Sequence, residues 1–361
     1  MVLAGLAVAN QALAELCTAS ARPRAQFPIH YEEAFDALLR HLGSFKAVQL
    51  ALERRCAAHL ALGEIDAAFA DAQCALRVSD LLRGEPLLIS QLVRFAQNSL
   101  AVRAVWQGLA EHRWMDAQLA EFQADFARRD FFSGLALAFE GERAGCILTV
   151  DSWIAGRGNV SNLVGPTESG APAEFPTAFF SRGMLRQNEI ALVRYHGRLV
   201  GVLRTAITNA ATTGLAATAK AASDNAVLSE LAGQQSPYRL LAAMLAPATG
   251  NSMNKVVRAQ TLEKMAMVAC ALERHHLKHQ VFPETLSALV PEFLSAPPLD
   301  PMNNQPFHYQ RTEDGWFQLY SVGLNGQDDG GVFKFKKSGS SQEELDWPWP
   351  VPSRPQQFNL F

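Results

Sequence analysis

The first 145 residues combine a near absence of proline with apolar side chains that recur every three or four positions. After Pro28 the only proline in this stretch is Pro86, and Ala, Leu, Arg, Glu and Gln dominate. Because proline breaks a helix and these residues favour one, the pattern predicts α-helices almost throughout residues 1–150. Long helices are expected at about 87–109, opened by Pro86, and at 114–129.

One part of this stretch, residues 52–76, has the pattern of two antiparallel helices joined at Gly63. Small residues stand where the helices would press together, and Ala68, Ala75 and Leu76 match a tetratricopeptide (TPR)-type hairpin. No second copy follows at the spacing of that repeat, so we predict a repeat-like bundle of α-hairpins. Its small-residue faces form either a concave binding surface or a closed core, and the sequence leaves both open.

The middle of the chain, residues 151–254, is expected to connect two structured parts. Gly, Pro, Ser and Asn are frequent at 151–174, which is typical of a loop. A helical pattern returns at 183–208 and then thins into a small-residue stretch that is either helix or connection.

The composition changes from residue 255 onwards. An amphipathic helix is expected to end at the histidine cluster of residues 275–279, and a short helix that starts with proline is expected within 282–294. Two antiparallel strands, 307–310 and 316–320, are predicted around a Gly-containing turn. The sequence therefore predicts a mostly α protein with a small α+β module at 255–335 and a Trp/Pro-rich tail at 336–361.

Composition excludes some classes of function. A length of 361 residues suggests two or three domains, and a net charge of -3 without a basic stripe argues against nucleic-acid binding. The five cysteines are spread out without a C-x-x-C pair, so we expect mostly buried thiols and no disulfide framework. No apolar segment is long enough to span a bilayer, and a membrane anchor is expected only if the true start lies upstream.

The order of short motifs near the C-terminal end is more specific. A helix is followed by F-P-E-T-L from Phe282, by L-D-P-M-N-N-Q-P-F-H-Y from Leu299, and by W-F-Q-L-Y-S-V-G-L-N-G-Q-D-D-G-G from Trp316. This order resembles the C-terminal globular part of the major pseudopilins of type II secretion systems, over residues 255–331. The resemblance implies a small α+β module with a loop that holds a structural calcium ion.

The family's motifs can be placed on single residues of this chain. Asp300 and Pro301 match its D-P turn, and Tyr320, Ser321 and Gly323 match its Y-S-x-G segment. The predicted calcium ligands are Ser321 and Asn325, which stand in the family's loop, and Asp328, Asp329 and Asp346, which could substitute for family carboxylates that this chain lacks. Oxygen ligands in a Gly-rich loop suit calcium, but the same Asn and Asp side chains are also typical of turns, where they bond their own backbone.

Two features depart from the pseudopilin pattern. The N-terminal hydrophobic helix has no counterpart, so we do not expect a filament-forming subunit. The acidic run that follows the family's loop is replaced by the basic residues of V-F-K-F-K-K at 332–337, which weakens the calcium interpretation.

The tail carries Trp347 and Trp349, each followed by proline. This pattern favours an extended segment that docks either on its own chain or on another protein. The whole chain also resembles an uncharacterised family of bacterial proteins with an α-rich region, a pseudopilin-like end and a D-W-x-W-P tail. That resemblance implies the cell envelope, whereas the N-terminus as it stands predicts a cytoplasmic protein.

Linear catalytic motifs are missing from the sequence. It contains no G-x-S-x-G, no phosphate-binding loop, no dinucleotide fingerprint after a strand and no H-E-x-x-H. His275, His276 and His279 have the spacing of metal ligands, but basic groups are also favoured at a helix C-terminus, which is the interpretation we prefer. We therefore expect a non-enzymatic scaffold or interaction component, and the alternative is an enzyme with a site between the two parts.

Overall fold

The computed structural model describes residues 2–157, 180–208, 214, 215, 217, 218, 236, 238–245, 247–331 and 346–350. The described chain is mostly α-helical and carries one small antiparallel sheet. The α-helices are α1 (Val2–Leu6), α2 (Asn10–Ser20), α3 (Arg40–Leu62), α4 (Ile65–Asp80), α5 (Leu88–Ala110), α6 (Asp116–Arg128), α7 (Phe132–Ile154), α8 (Arg182–Thr208), α9 (Leu240–Leu245) and α10 (Pro247–His279). The strands are β1 (His308–Arg311), β2 (Phe317–Ser321) and β3 (Trp347–Pro348).

The predicted helical hairpin forms around Gly63, between α3 and α4. Gly63 has a φ of 75°, in the left-handed region where a side chain would be strained, and its N–H donates to the carbonyl of Leu60. Ala68, Ala72 and Ala75 of α4 are fully buried. These small residues therefore close the core between neighbouring helices, and the TPR resemblance stays a prediction.

The cysteine prediction needs one correction. Cys17 of α2 and Cys74 of α4 form a disulfide, with their Cα atoms 5.2 Å apart, while Cys56, Cys146 and Cys270 are buried free thiols. The disulfide could not be predicted from the sequence, because Cys17 and Cys74 lie 57 residues apart and meet only when α2 packs against α4.

Helix α10 links the helical body to the C-terminal module. It begins at Pro247, ahead of the start expected at residue 255, and packs against α5, α6 and β2. Cys270, Ala271 and Leu272 in its middle are fully buried. The larger of two apolar clusters among the described residues runs from the helical body through α10 to the sheet, and the smaller one joins the ends of α7 and α8. The division into the four regions at 1–150, 151–254, 255–335 and 336–361 stays a prediction.

The segment after α10 differs in part from the prediction. Within 282–294 only a 3₁₀ turn at Leu286–Leu289 forms, because Pro283 and Pro291 restrict the backbone on both sides of it. The two predicted strands are confirmed as β1 and β2, which pair antiparallel with His308 opposite Tyr320. The tail adds β3 to the other edge of β2.

Several predictions fall on residues outside the described part of the chain. These are most of the loop at 151–174, most of the small-residue stretch after 208, the basic run at 332–337, and the tail apart from 346–350. Among the residues that are described, no helix is long and apolar enough to cross a membrane.

Candidate functional site

The five predicted calcium ligands all lie at one end of the small sheet, but they make different contacts. Ser321 ends β2, is fully buried, and its hydroxyl donates to Asp300 Oδ1 at 2.9 Å. The other carboxylate oxygen, Asp300 Oδ2, accepts the N–H of Val322 at 3.0 Å. Asp300 therefore fastens the D-P turn to the end of β2, and burial raises the pKa of its carboxyl group.

Asn325 and Asp328 form local turns. Asn325 Oδ1 accepts the N–H of Gln327, and Asp328 Oδ1 accepts the N–H of Gly330, each two residues further along the chain. The bond from the Gly330 N–H, followed by that from the Tyr320 hydroxyl, lowers the pKa of Asp328. These contacts are the turn chemistry that the sequence offered as an alternative to calcium binding.

Asp346 and Asp329 connect the tail to the same loop. Asp346 is fully buried, and its Oδ2 accepts the N–H groups of Asp329 and Gly331 at 2.9 and 2.7 Å. The Asp329 carboxylate accepts the amide N–H of Asn325 at 2.8 Å. Asp346 Oδ1 has no hydrogen-bond partner, and burial raises the pKa of this carboxyl group. Asp346, one of the five predicted ligands, therefore keeps a buried oxygen without a hydrogen bond.

Potential metal-ligating side chains do not cluster in the described ranges of the chain, where no group of three or more His, Cys, Asp or Glu is arranged to hold a metal ion. The histidines at the end of α10 make other contacts: the His275 ring bonds the carbonyl of Val281 through Nδ1, and the His276 ring stacks against both His112 and Phe282.

A second candidate site is an open cleft of about 850 Å³ between the helical body and the C-terminal module, which we call the junction cleft. Helices α6, α8 and α10 form one side, and the proline-rich loop 294–301 with Asn304 and Phe307 forms the other. Its apolar and small lining residues include Ala120, Ala124, Ala127, Ile207, Met267, Leu294, Pro297, Pro298, Leu299 and Phe307. Ile207 is 40% exposed and Leu299 is 46% exposed, so the cleft offers apolar surface to solvent.

A buried ionic cluster lies behind Arg129, one of the lining residues. Arg94, which is fully buried, donates to Asp80 Oδ1, and Arg129 donates to the carbonyl of Leu76 and lies 3.4 Å from Asp80. Despite burial, Arg129 and Arg94 hold the pKa of Asp80 below its usual value. Burial raises the pKa of Glu263, 3.6 Å from Arg129, to about 7.

The sequence offered a site between the two parts only as the alternative enzyme interpretation, and it identified none of the residues that line the junction cleft, because they come from distant elements. Helix α10 gave one signal, since Lys264 lies among the buried residues Glu263, Met265 and Ala266. A lysine beside an apolar face marks either a rim or a ligand contact.

Comparisons with family models, curated proteins and solved structures give no match. The likeness to pseudopilins therefore rests on the motifs quoted above, and the geometry of the cleft and the loop carries the functional argument.

Proposed function

We propose that this chain is a non-enzymatic scaffold or protein-interaction component of the bacterial cell envelope, associated with secretion, and that a partner protein docks in the junction cleft. The observation that carries the proposal is the cleft itself, which is open, largely apolar and placed where two parts of the chain meet. Clefts of this size and lining are typical binding sites.

The alternative, an enzyme with a site between the same two parts, requires His, Asp or Glu side chains that converge in the cleft. Among the described lining residues the only acid is Asp130, and the lining includes no histidine. The Asp130 Oδ1 atom accepts the N–H groups of Phe132 and Ser133 at the start of α7. Asp130 thus has a capping role, and the lining favours binding over acid–base chemistry.

The disulfide supports the envelope setting. Bonds of this kind persist in oxidising compartments such as the bacterial periplasm and are rare in the cytoplasm. The Cys17–Cys74 bond joins two helices of the N-terminal bundle. It therefore agrees with the setting that the family resemblance implies.

A structural calcium ion in the Asp328 loop remains a second proposal. It is supported by Asp346 Oδ1, which is buried without a hydrogen-bond partner. The test is a calorimetric titration of the full chain with calcium, beside an Asp346→Asn variant. Binding heat in the native chain that the variant lacks supports the site, and equal behaviour of both chains excludes it.

Site-specific photocrosslinking tests the docking proposal. A photoreactive amino acid is placed at Ala124 or Ala127, two exposed positions of α6 that line the cleft, in cells that express the full chain in its native setting. The matched control is Ala61, an exposed alanine of α3 away from the cleft. We expect a protein adduct at both cleft positions and none at Ala61. Identical adducts at all three positions, or none at any, would contradict the proposal.

A further inference from the structure

Some polar side chains of the junction cleft have hydrogen-bond partners within the chain, and others do not. Gln123, Asp130, Gln260 and Arg274 all have partners: Gln123 donates to the carbonyl of Phe293, Gln260 binds the backbone of Arg129 and Phe131, and Arg274 pairs with Asp116. These groups hold the walls together.

Three other groups have unused hydrogen-bonding capacity, and all three are donors. Arg129 is 7% exposed; its Nε atom forms an ion pair with Glu263 at 3.6 Å, and its Nη1 atom has no hydrogen-bond acceptor. The Nδ2 atom of Asn304, on the opposite wall, is likewise buried without an acceptor. Lys264 of α10, half-buried, has no hydrogen bond or ion pair with any described residue.

A ligand is the natural source of the missing acceptors. Buried donors without partners are unfavourable, and a charged donor more so than a neutral one. Of the backbone carbonyls in the proline-rich loop, that of Pro301 already accepts the N–H of Leu215 at 2.6 Å.

The charge of the lining points to the kind of acceptor. Arg129 and Arg274 form ion pairs with acids that do not line the cleft, whereas Lys264 has no ion pair with a described residue. Asp130 is the one acid among the described lining residues. The surrounding surface is apolar. The complementary ligand is an acceptor with negative charge on an otherwise apolar body.

We propose, building on the docking function above, that the junction cleft binds an apolar peptide segment of a partner protein through a carboxylate held by Lys264, Arg129 and Asn304. The carboxylate belongs either to an Asp or Glu side chain or to the peptide's C-terminus, since both offer the same two oxygens. Apolar side chains of the peptide lie against Ala124, Ile207 and Leu299.

Selection from a random-sequence peptide library against the full chain tests this chemistry. The library displays peptides with free C-termini, and the strongest binders are resynthesised for fluorescence anisotropy. We expect each binder to combine apolar residues with a carboxylate. Versions with Glu→Gln or Asp→Asn changes, and versions with an amidated C-terminus, identify which carboxylate is used.

Two variants, each with a matched control, test the residues. Lys264→Met removes the cation that has no partner among the described residues, and its control, Lys255→Met, removes an exposed cation of the same helix outside the cleft. Asn304→Asp replaces the donor by a carboxylate and suits the backbone, because Asp tolerates the φ of 57° at this position. Its control, Asn303→Asp, keeps the oxygen that accepts the Gln305 N–H.

The expected result is a loss of peptide affinity of about tenfold or more in Lys264→Met and Asn304→Asp, with both controls within about twofold of the native chain. The proposal is overturned if no peptide is selected, if the binders lack a carboxylate, or if the controls lose as much affinity as the cleft variants. Adducts at Ala124 and Ala127 together with binders that lack a carboxylate would retain the docking function and reject only this chemistry.

Discussion

The indole ring of Trp349 packs edge-on against that of Trp106 in α5, with 5.7 Å between the ring centroids. Trp349 also donates its backbone N–H to the carbonyl of Leu319 in β2, at 2.7 Å. One residue of the tail thus contacts both the helical body and the sheet. The sequence left open whether the tail docks on its own chain or on another protein, and these contacts show the first for residues 346–350.

Removal of this side chain should weaken the whole fold. Trp349 is 2% exposed, so Trp349→Ala loses a large buried apolar surface and leaves a cavity. We expect a loss of roughly 3–5 kcal/mol in the free energy of unfolding, measured by urea denaturation. Leu62→Ala, at a position that is 63% exposed, should change it by less than about 0.5 kcal/mol. Equal effects of the two changes would show that the tail is not part of the core.

Counting free thiols tests the Cys17–Cys74 disulfide directly. The chain has five cysteines, of which three are free, so thiol titration of the denatured, unreduced protein should find three thiols, and five after reduction. Breaking a disulfide that closes a loop of this length lowers the free energy of unfolding by roughly 2–4 kcal/mol. A Cys17→Ala/Cys74→Ala variant should be insensitive to reductant. Five thiols before reduction would contradict the assignment.

Glu263 should make stability depend on pH near neutrality. Burial raises its pKa to about 7 from the ordinary value of 4.5, so the folded state binds this proton more tightly than the unfolded state. The stability that the protonated Glu263 contributes to the folded state is complete below about pH 4.5 and is lost as pH rises through 7. Glu263→Gln should remove this decline in urea-denaturation experiments between pH 5 and 8. Glu121→Gln, an exposed change on α6, should retain it.

His196 should act in the opposite direction at lower pH. Burial lowers the pKa of this residue of α8 from 6.5 to about 4, because the charged ring is disfavoured in the core. The stability that the neutral ring contributes to the folded state is present above pH 6.5 and is lost as pH falls towards 4. His196→Gln should therefore lose less stability than the native chain between pH 7 and 5. If the free energy of unfolding of the variant falls as much as that of the native chain between pH 7 and 5, His196 is not the cause.

The sequence predicted what local patterns control. Proline-free apolar periodicity located α5, α6 and α8 within a few residues, and the Gly-containing turn located β1 and β2. It could not predict contacts between distant segments. The Cys17–Cys74 pair, the Asp300–Ser321 bond and the junction cleft all depend on how helices and loops meet, and that information is not contained in any short window.

The site prediction illustrates the same limit. The loop residues lie together as the motif order implied, yet Asn325 and Asp328 use their oxygens for backbone turns. The residues that form the junction cleft, such as Arg129, Lys264 and Asn304, stand in three unconnected parts of the sequence. Only the folded structure shows that these residues place hydrogen-bond donors without acceptors at the junction cleft.

The docking function is tested most directly by hydrogen exchange of the full chain with and without a partner identified by crosslinking. We predict slower exchange in α6 and in residues 294–307, the two walls of the junction cleft, while α3 and α4 are unchanged. Slower exchange confined to α3 and α4, with no change at the cleft, would contradict the account.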